Sequence, residues 1–188
     1  MADDERERET DVDGKVLLHQ VDEDTLEELL AVAVGDADPE DVMPPVPGPP
    51  GWTTERQDAF RSWHRARRPG LAGPLRESTF AIIHQGKVVG SGRLAFREGQ
   101  EVLETGMWLA RSQRGRGIGT RALRMLLHVA AKAGARSVVA DTTARNKAAL
   151  VALQRNGATL IAIQDSIDVH AELVPTELPP APVSRAST

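Results

Sequence analysis

The hexapeptide Arg114-Gly115-Arg116-Gly117-Ile118-Gly119 constrains the fold more than any other segment of the 188 residues. It follows Glu101 to Leu109, which reads as a strand. It opens into Thr120 to Ala133, where Ala122, Met125, Leu126, Val129 and Ala133 share one stripe at helical spacing before Gly134 stops the run. Glycines let a backbone turn sharply and approach a ligand closely. The first N–H groups of a helix lack partners within it, and the helix dipole adds positive potential where they converge. A strand, a glycine turn and a helix start therefore make a seat for a phosphate or pyrophosphate. Arg114, Arg116 and Arg121 bring full positive charges to the same neighbourhood.

Two common phosphate loops do not match. A P-loop has Lys-Ser/Thr after its last glycine, and here Gly119 is followed by Thr120-Arg121. The dinucleotide fingerprint is Gly-x-Gly-x-x-Gly, whereas this loop is Gly-x-Gly-x-Gly. A glycine-rich turn that binds nothing would show the same hexapeptide. The pattern Arg-x-x-Gly-x-Gly after a strand, filled by Arg114, Gly117 and Gly119, resembles the coenzyme A loop of the GNAT superfamily of N-acetyltransferases. About 27 residues beyond Gly119 stands Asn146-Lys147-Ala148-Ala149, followed by Gly157. This is similar to the second GNAT signature, in which an Asn opens a helix that ends before a glycine and a final hairpin. Glu104-Thr105-Gly106-Met107-Trp108-Leu109 resembles the Glu-x-Gly-x-Trp-Leu stretch of the branch with ribosomal-protein N-terminal acetyltransferases and several antibiotic acetyltransferases. The resemblance covers roughly residues 14–174.

The rest of the chain agrees in element order. Gly14 to Val21 alternates as a first strand, Asp22 to Thr25 forms an acidic cap, and Leu26, Leu29, Leu30 and Ala33 carry a helix ended by Gly35. Met43 to Trp52 holds five prolines and is a loop. A helix from Thr53 or Thr54 to about Arg68 places Phe60, Trp63 and Ala66 on one face. Thr79–His84 and Val88–Phe96 form a hairpin across Gln85-Gly86-Lys87. Ser137 to Ala140 is a short strand, Asn146 to Asn156 a helix, and Thr159–Ile163 and Ile167–Val174 are two last strands. The expected fold is α/β: one domain over 14–174, with a mixed, mostly antiparallel sheet of about seven strands and helices on both faces. The resemblance adds a splay between the fourth and fifth strands. Residues 1–13, almost all charged, and the Pro/Ser/Ala tail 175–188 are expected to be disordered.

Composition narrows the chemistry. Cysteine is absent, so no disulfide framework, thiolate nucleophile or Cys-ligated zinc is available. No two of the five histidines have the i, i+4 spacing of a helical metal site, and no metal is expected. The net charge of −4 argues against general nucleic-acid binding and suits a cationic acceptor. No apolar run approaches the roughly 20 residues of a membrane helix. With no signal-peptide pattern at the start, a cytoplasmic protein is expected. A homodimer is left open.

The resemblance implies acetyl-CoA as cofactor, with coenzyme A as product. It implies that the backbone of Met107, Trp108 and Leu109 pairs with the pantetheine amides. Gly115, Arg116, Gly117, Ile118, Gly119 and Thr120 would hold the pyrophosphate beside Arg114. Asn146 would bond near the pantetheine, cap its helix, or do both. Many members carry a Tyr in the following helix that protonates the departing thiolate, but the aligned residue here is Leu153 and the chain has no Tyr. The acceptor amine must lose a proton before attack. Glu104 is the first candidate base, acting through a water, with Asp141 and His170 on neighbouring strands as reserves. Trp52, Trp63 and His64 could rim an acceptor pocket, with Glu104, Asp168 and Glu172 giving an acidic mouth together with Asp165. Some aminoglycoside-modifying enzymes belong to the same superfamily, which favours an amine-bearing small molecule of that type, and so a role in antibiotic resistance or self-protection. A peptide or protein N-terminus is the alternative, and a non-catalytic acyl-CoA sensor or a nucleotide-binding protein would be of another class.

Overall fold

The computed structural model describes residues 16–97 and 101–177. The expectations for 1–13 and for most of the tail lie outside these residues. Seven strands make one sheet: β1 Val16–Gln20, β2 Glu77–His84, β3 Lys87–Phe96, β4 Val102–Leu109, β5 Ser137–Thr143, β6 Thr159–Ala162 and β7 Asp168–Leu173. Their order is β1-β2-β3-β4-β5-β7-β6. Among the described residues only β4 and β5 run parallel, and the other pairs are antiparallel. The expected mixed sheet is therefore present. The hairpin between β2 and β3 turns through Gln85 and Gly86, both at positive φ, as a two-residue connection of right-handed strands requires.

Among the described residues five α-helices cover the sheet: α1 Glu23–Asp36, α2 Pro39–Val42, α3 Thr54–Ala66, α4 Ile118–Lys132 and α5 Lys147–Arg155. Asp22 and Thr25 cap α1 reciprocally, and Thr53 caps α3. Gly35 does not end α1 but lies inside its last turn. The helix α2 is an addition to the expected elements; four residues are too few to show periodicity.

Each face of the sheet has its own core. Leu94, Leu103, Val138, Ala140 and Ala171 meet Leu123, Leu126, Leu127 and Leu153 of α4 and α5. On the opposite face Ala81, Ile83 and Trp108 meet Leu26, Leu29, Leu30 and Phe60 of α1 and α3. Alternation along β4 decides which side chains go where. Leu103, Thr105 and Met107 point toward α4, and Glu104, Gly106 and Trp108 toward α3. At Gly92 a Cβ would stand 2.9 Å from Leu126, so glycine there lets α4 settle closely on β3.

Candidate active site

The parallel pairing of β4 with β5 is short. Val102, Leu103 and Glu104 pair with Ser137, Val138 and Val139, and beyond them the strands part. Thr105, Gly106 and Met107 on one side face Ala140, Asp141 and Thr142 on the other across a cleft of about 170 Å³. The cleft leads into a groove of about 420 Å³ lined by Met107, Trp108, Leu109, Arg114, Gly119, Asn146 and Ala149. Backbone amides of β4 left unpaired by β5 edge this space, which suits an amide-bearing chain added like a strand.

At the end of β4 a 3-10 turn, Arg111–Gln113, leads into the glycine loop. Gly115 and Gly117 have φ of +75° and +74°. Gly117 is the N-cap of α4, in left-handed conformation, and no side chain caps the helix. The first-turn amides of Ile118, Gly119 and Thr120 thus form the uncapped positive end of a 15-residue helix, a geometry that fits a pyrophosphate. Arg114 does not reach freely outward: its Nε donates to Leu109 O at 3.0 Å, which ties the loop to the end of β4. Asn146 caps α5, its Oδ1 accepting from Ala149 N at 3.1 Å, and it also lines both groove and cleft. Asn156 Nδ2 donates to Thr120 O at 3.0 Å and so fixes the end of α5 to the loop's helix. Leu153 lines the cleft and is 5% exposed, so an apolar side chain stands where an enzymic acid would be sought.

On the other face lies a cavity of about 480 Å³. Trp63, His64 and Arg67 of α3 and its end, Ser91 and Arg93 of β3, and Glu40 to Pro44 form its walls, with Gly106, Met107 and Trp108 of β4. It shares Gly106 and Met107 with the cleft, and Asp41 with the groove. Glycine at 106 leaves the sheet without a side chain where the two spaces meet.

A ladder of alternating charge crosses this face from β2 to β7. Arg67 Nε lies 2.9 Å from Glu77 Oε1, and Arg93 Nη1 donates to the same oxygen at 3.0 Å. Arg93 Nη2 donates to Glu104 Oε1, and Arg97 Nε donates to Glu104 Oε2 at 3.0 Å. Arg97 Nη2 continues to Asp141 Oδ2 at 2.8 Å, and Asp141 Oδ1 lies 2.7 Å from His170 Nδ1. Glu104, Asp141 and His170, three strands' worth of candidates, are thus one connected group. The hydrogen bond to His170, then that from Arg97, holds Asp141 below the usual carboxylate range. An ionised Asp141 can only accept, so Nδ1 of His170 is the donor between them and Nε2 is the ring nitrogen left for other partners.

The other expected acceptor residues separate. Trp63 and His64 line the cavity, with Arg67 stacked 3.8 Å above the Trp63 ring. His64 is 1% exposed, its Nδ1 is 3.0 Å from Thr79 Oγ1, and its Nε2 has no hydrogen-bond partner. Burial, with Arg67 and Arg68 adding repulsion, pulls its pKa down to about 3, so it is neutral. Trp52 does not line the cavity; it packs edge-on to Phe60 at 5.7 Å and donates to Ala37 O. Asp168 is held by Ser166, and Glu172 approaches His170 Nε2 only to 3.9 Å; both lie on β7, away from the cavity. Sequence reasoning missed Glu40, Asp41, Arg67, Glu77, Arg93 and Arg97, whose meeting depends on strand register and on the short helix α2.

The same architecture is found in known proteins. Residues 15–159 match the family model described as the acetyltransferase (GNAT) domain. RimL, a ribosomal L7/L12 α-N-protein acetyltransferase solved with coenzyme A, is 19% identical, with a TM-score of 0.65 over 85% of this chain and 93% of its own. An N-acetyltransferase from Staphylococcus aureus Mu50 is 20% identical, with a TM-score of 0.62 over 86% of this chain and 99% of its own. The Campylobacter jejuni N-acetyltransferase PseH, solved with acetyl coenzyme A, is 11% identical at a TM-score of 0.62 over 86% and 100%. No curated protein sequence matches the chain. The chain belongs to the GNAT acetyltransferase family, and its enzyme class is acetyl-CoA-dependent N-acetyltransferase. No described helix is long and apolar enough to cross a membrane.

Proposed function

We propose that the acceptor is a primary amine of a cationic small molecule, of the aminoglycoside type, that enters the cavity beside α3. The observation that carries this reading is the cavity itself. It is bounded on several sides, carries Glu40, Asp41 and Glu77 against Arg67 and Arg93, and opens onto the cleft at Gly106 and Met107. One negative charge is left over among those five, which favours an ammonium by field and by pairing. Trp63 and Trp108 supply aromatic surface for the body of such a molecule.

Acetyl-CoA supplies the thioester that the amine attacks. Under this proposal the amides of Gly115 to Thr120 hold its pyrophosphate with Arg114 beside them. The backbone of Met107 to Leu109 aligns the pantetheine, and Asn146 borders it. The proton leaving the amine passes, through water, to the group formed by Glu104, Asp141 and His170. Both Glu104 oxygens are taken by guanidiniums, so Glu104 orients Arg97 while His170 Nε2 is the free acceptor. With Leu153 in place of Tyr, the thiolate leaves without an enzymic acid, which a leaving group of pKa near 8.5 tolerates.

A peptide N-terminus is favoured by one different observation. The sheet face over β5 and β7 continues from the cavity with Asp141 and Glu172 exposed, and a chain could lie there. Acetylation assays with a panel of aminoglycosides, linear polyamines and peptides with free N-termini decide between them. Turnover of peptides alone would overturn the small-molecule reading.

A further inference from the structure

Met43 to Trp52 contains Pro44, Pro45, Pro47, Pro49 and Pro50. Each has a carbonyl but no N–H, so the segment cannot satisfy its carbonyls by pairing with itself as helix or sheet. It is irregular from Met43 to Thr53. Donors must come from elsewhere, and one side chain supplies several. Arg56, in the first turn of α3, is 5% exposed. Its Nε and Nη2 donate to Val46 O at 3.3 and 3.1 Å, and its Nη1 to Pro49 O at 2.5 Å and Gly51 O at 2.6 Å. None of these partners is a carboxylate. A buried charge is normally paired with an opposite one, so a guanidinium spent on three carbonyls marks a segment whose placement matters. Trp52 Nε1, donating to Ala37 O at 2.9 Å, fastens the far end.

We propose that Arg56 is a positioning residue for the acceptor site: it clamps the proline loop so that Asp41 to Pro44 stand as a fixed wall of the cavity beside α3. The inference rests on reading that cavity as the acceptor site. Met43 and Pro44 line it immediately before the clamped carbonyl of Val46, and Asp41 stands where cavity and cofactor groove meet. Freed of Arg56, the carbonyls would turn to water and the wall would lose its single conformation, so each acceptor bound would first have to order it. Lysine keeps the charge but cannot do the same, because a compact ammonium cannot span three carbonyls as a planar fork does.

Arg56→Lys and Arg56→Gln test this with two readouts. Hydrogen exchange followed by mass spectrometry should show faster exchange in peptides covering 40–53 and unchanged exchange in those covering 114–125. Steady-state kinetics, using whichever aminoglycoside, polyamine or peptide the parent enzyme acetylates best, should show the acceptor KM raised about tenfold, the cost of ordering a short segment. The KM for acetyl-CoA and kcat should stay within about twofold. Unchanged exchange in 40–53 would overturn the clamp. Faster exchange with an unchanged acceptor KM, or with the KM for acetyl-CoA raised equally, would overturn the positioning role. Failure of the small-molecule reading would show separately, as a parent enzyme that turns over only peptides.

Discussion

The cleft between β4 and β5, with the groove it leads into, meets the cavity beside α3 at Gly106 and Met107, yet the two sides are made of different material. The groove is mostly backbone: splayed strand edges, two glycines at positive φ and an uncapped helix start. The cavity is mostly side chains: Arg67, Glu77 and Arg93 held against one another in its wall, with Glu104 pairing Arg93 from behind. Backbone geometry tolerates change in almost every side chain except the glycines that permit it. A lattice of paired charges has no such privileged position, and each member leaves a buried or half-buried partner unsatisfied when it goes.

The largest effect should therefore follow from one glycine. Gly117→Val puts a β-branched residue at φ near +74°, where L side chains are strained by about 1–3 kcal/mol, and places methyl groups over the anion seat. Coenzyme A binding measured by calorimetry should vanish in a variant that still melts cooperatively. Retained binding would show that the pyrophosphate sits elsewhere.

On the other side of the contrast, His170→Gln should lower kcat/KM by roughly tenfold to a thousandfold, the range of a lost proton transfer, and Glu104→Gln, which loosens Arg97 and Asp141 behind it, by less. The affinity for acetyl-CoA should not change, because neither residue touches the groove. The two should differ in rescue. Added imidazole should restore part of the rate of His170→Gln and none of that of Glu104→Gln. The reverse pattern would make Glu104 the proton acceptor and His170 its support.

How much of this was legible in the sequence follows the same division. The glycine loop could be found because a left-handed turn before a helix admits few residues, and Asn146 because capping demands a short polar side chain. The seven strands and the larger helices could be found from alternation, periodicity and turns. The charge ladder could not. Arg93 faces Glu77 and Glu104 only because β3 pairs with its neighbours in one register. Its periodicity is that of any strand with a polar face. The helix α2, which brings Glu40 and Asp41 to the cavity, is too short to leave a pattern. Trp52 illustrates the opposite error: an aromatic beside prolines suggested a pocket rim, and it packs on Phe60 instead.

A smaller effect sharpens the contrast within the groove. Arg114 is the charged motif side chain that lines the groove, yet its Nε is committed to Leu109 O. Arg114→Ala should weaken coenzyme A binding severalfold rather than abolish it, since amides of the helix start carry much of the contact. The loss should shrink as salt is added, because what remains is a screened charge. A hundredfold loss would mean that side chains, not backbone, dominate this side as well.

His64 should matter least to turnover near neutral pH and most to how the cavity wall survives acid. It is buried and neutral, wedged between Phe60 and Trp63, with ring centroids at 4.5 and 4.8 Å. Its pKa of about 3 lies below the ordinary 6.5, chiefly because burial penalises the charged ring. The sign follows from proton counting. Between these two values the unfolded chain binds a proton at this site and the folded chain does not, so stability rises with pH and is lost as pH falls from about 6.5. The slope approaches about 1.4 kcal/mol per pH unit once the unfolded histidine is fully charged. Carboxylates held low by their partners, such as Asp22, Glu23, Glu27 and Asp141, act with the same sign but only from about pH 5 downward, where the unfolded chain begins to protonate them. The window from about pH 5.5 to 6.5 therefore isolates histidine. Urea unfolding of the parent in that window should show the slope, and His64→Gln should flatten it while leaving kcat/KM at neutral pH within about threefold. A slope that persists in the variant would place the titrating group elsewhere and leave His64 as packing alone.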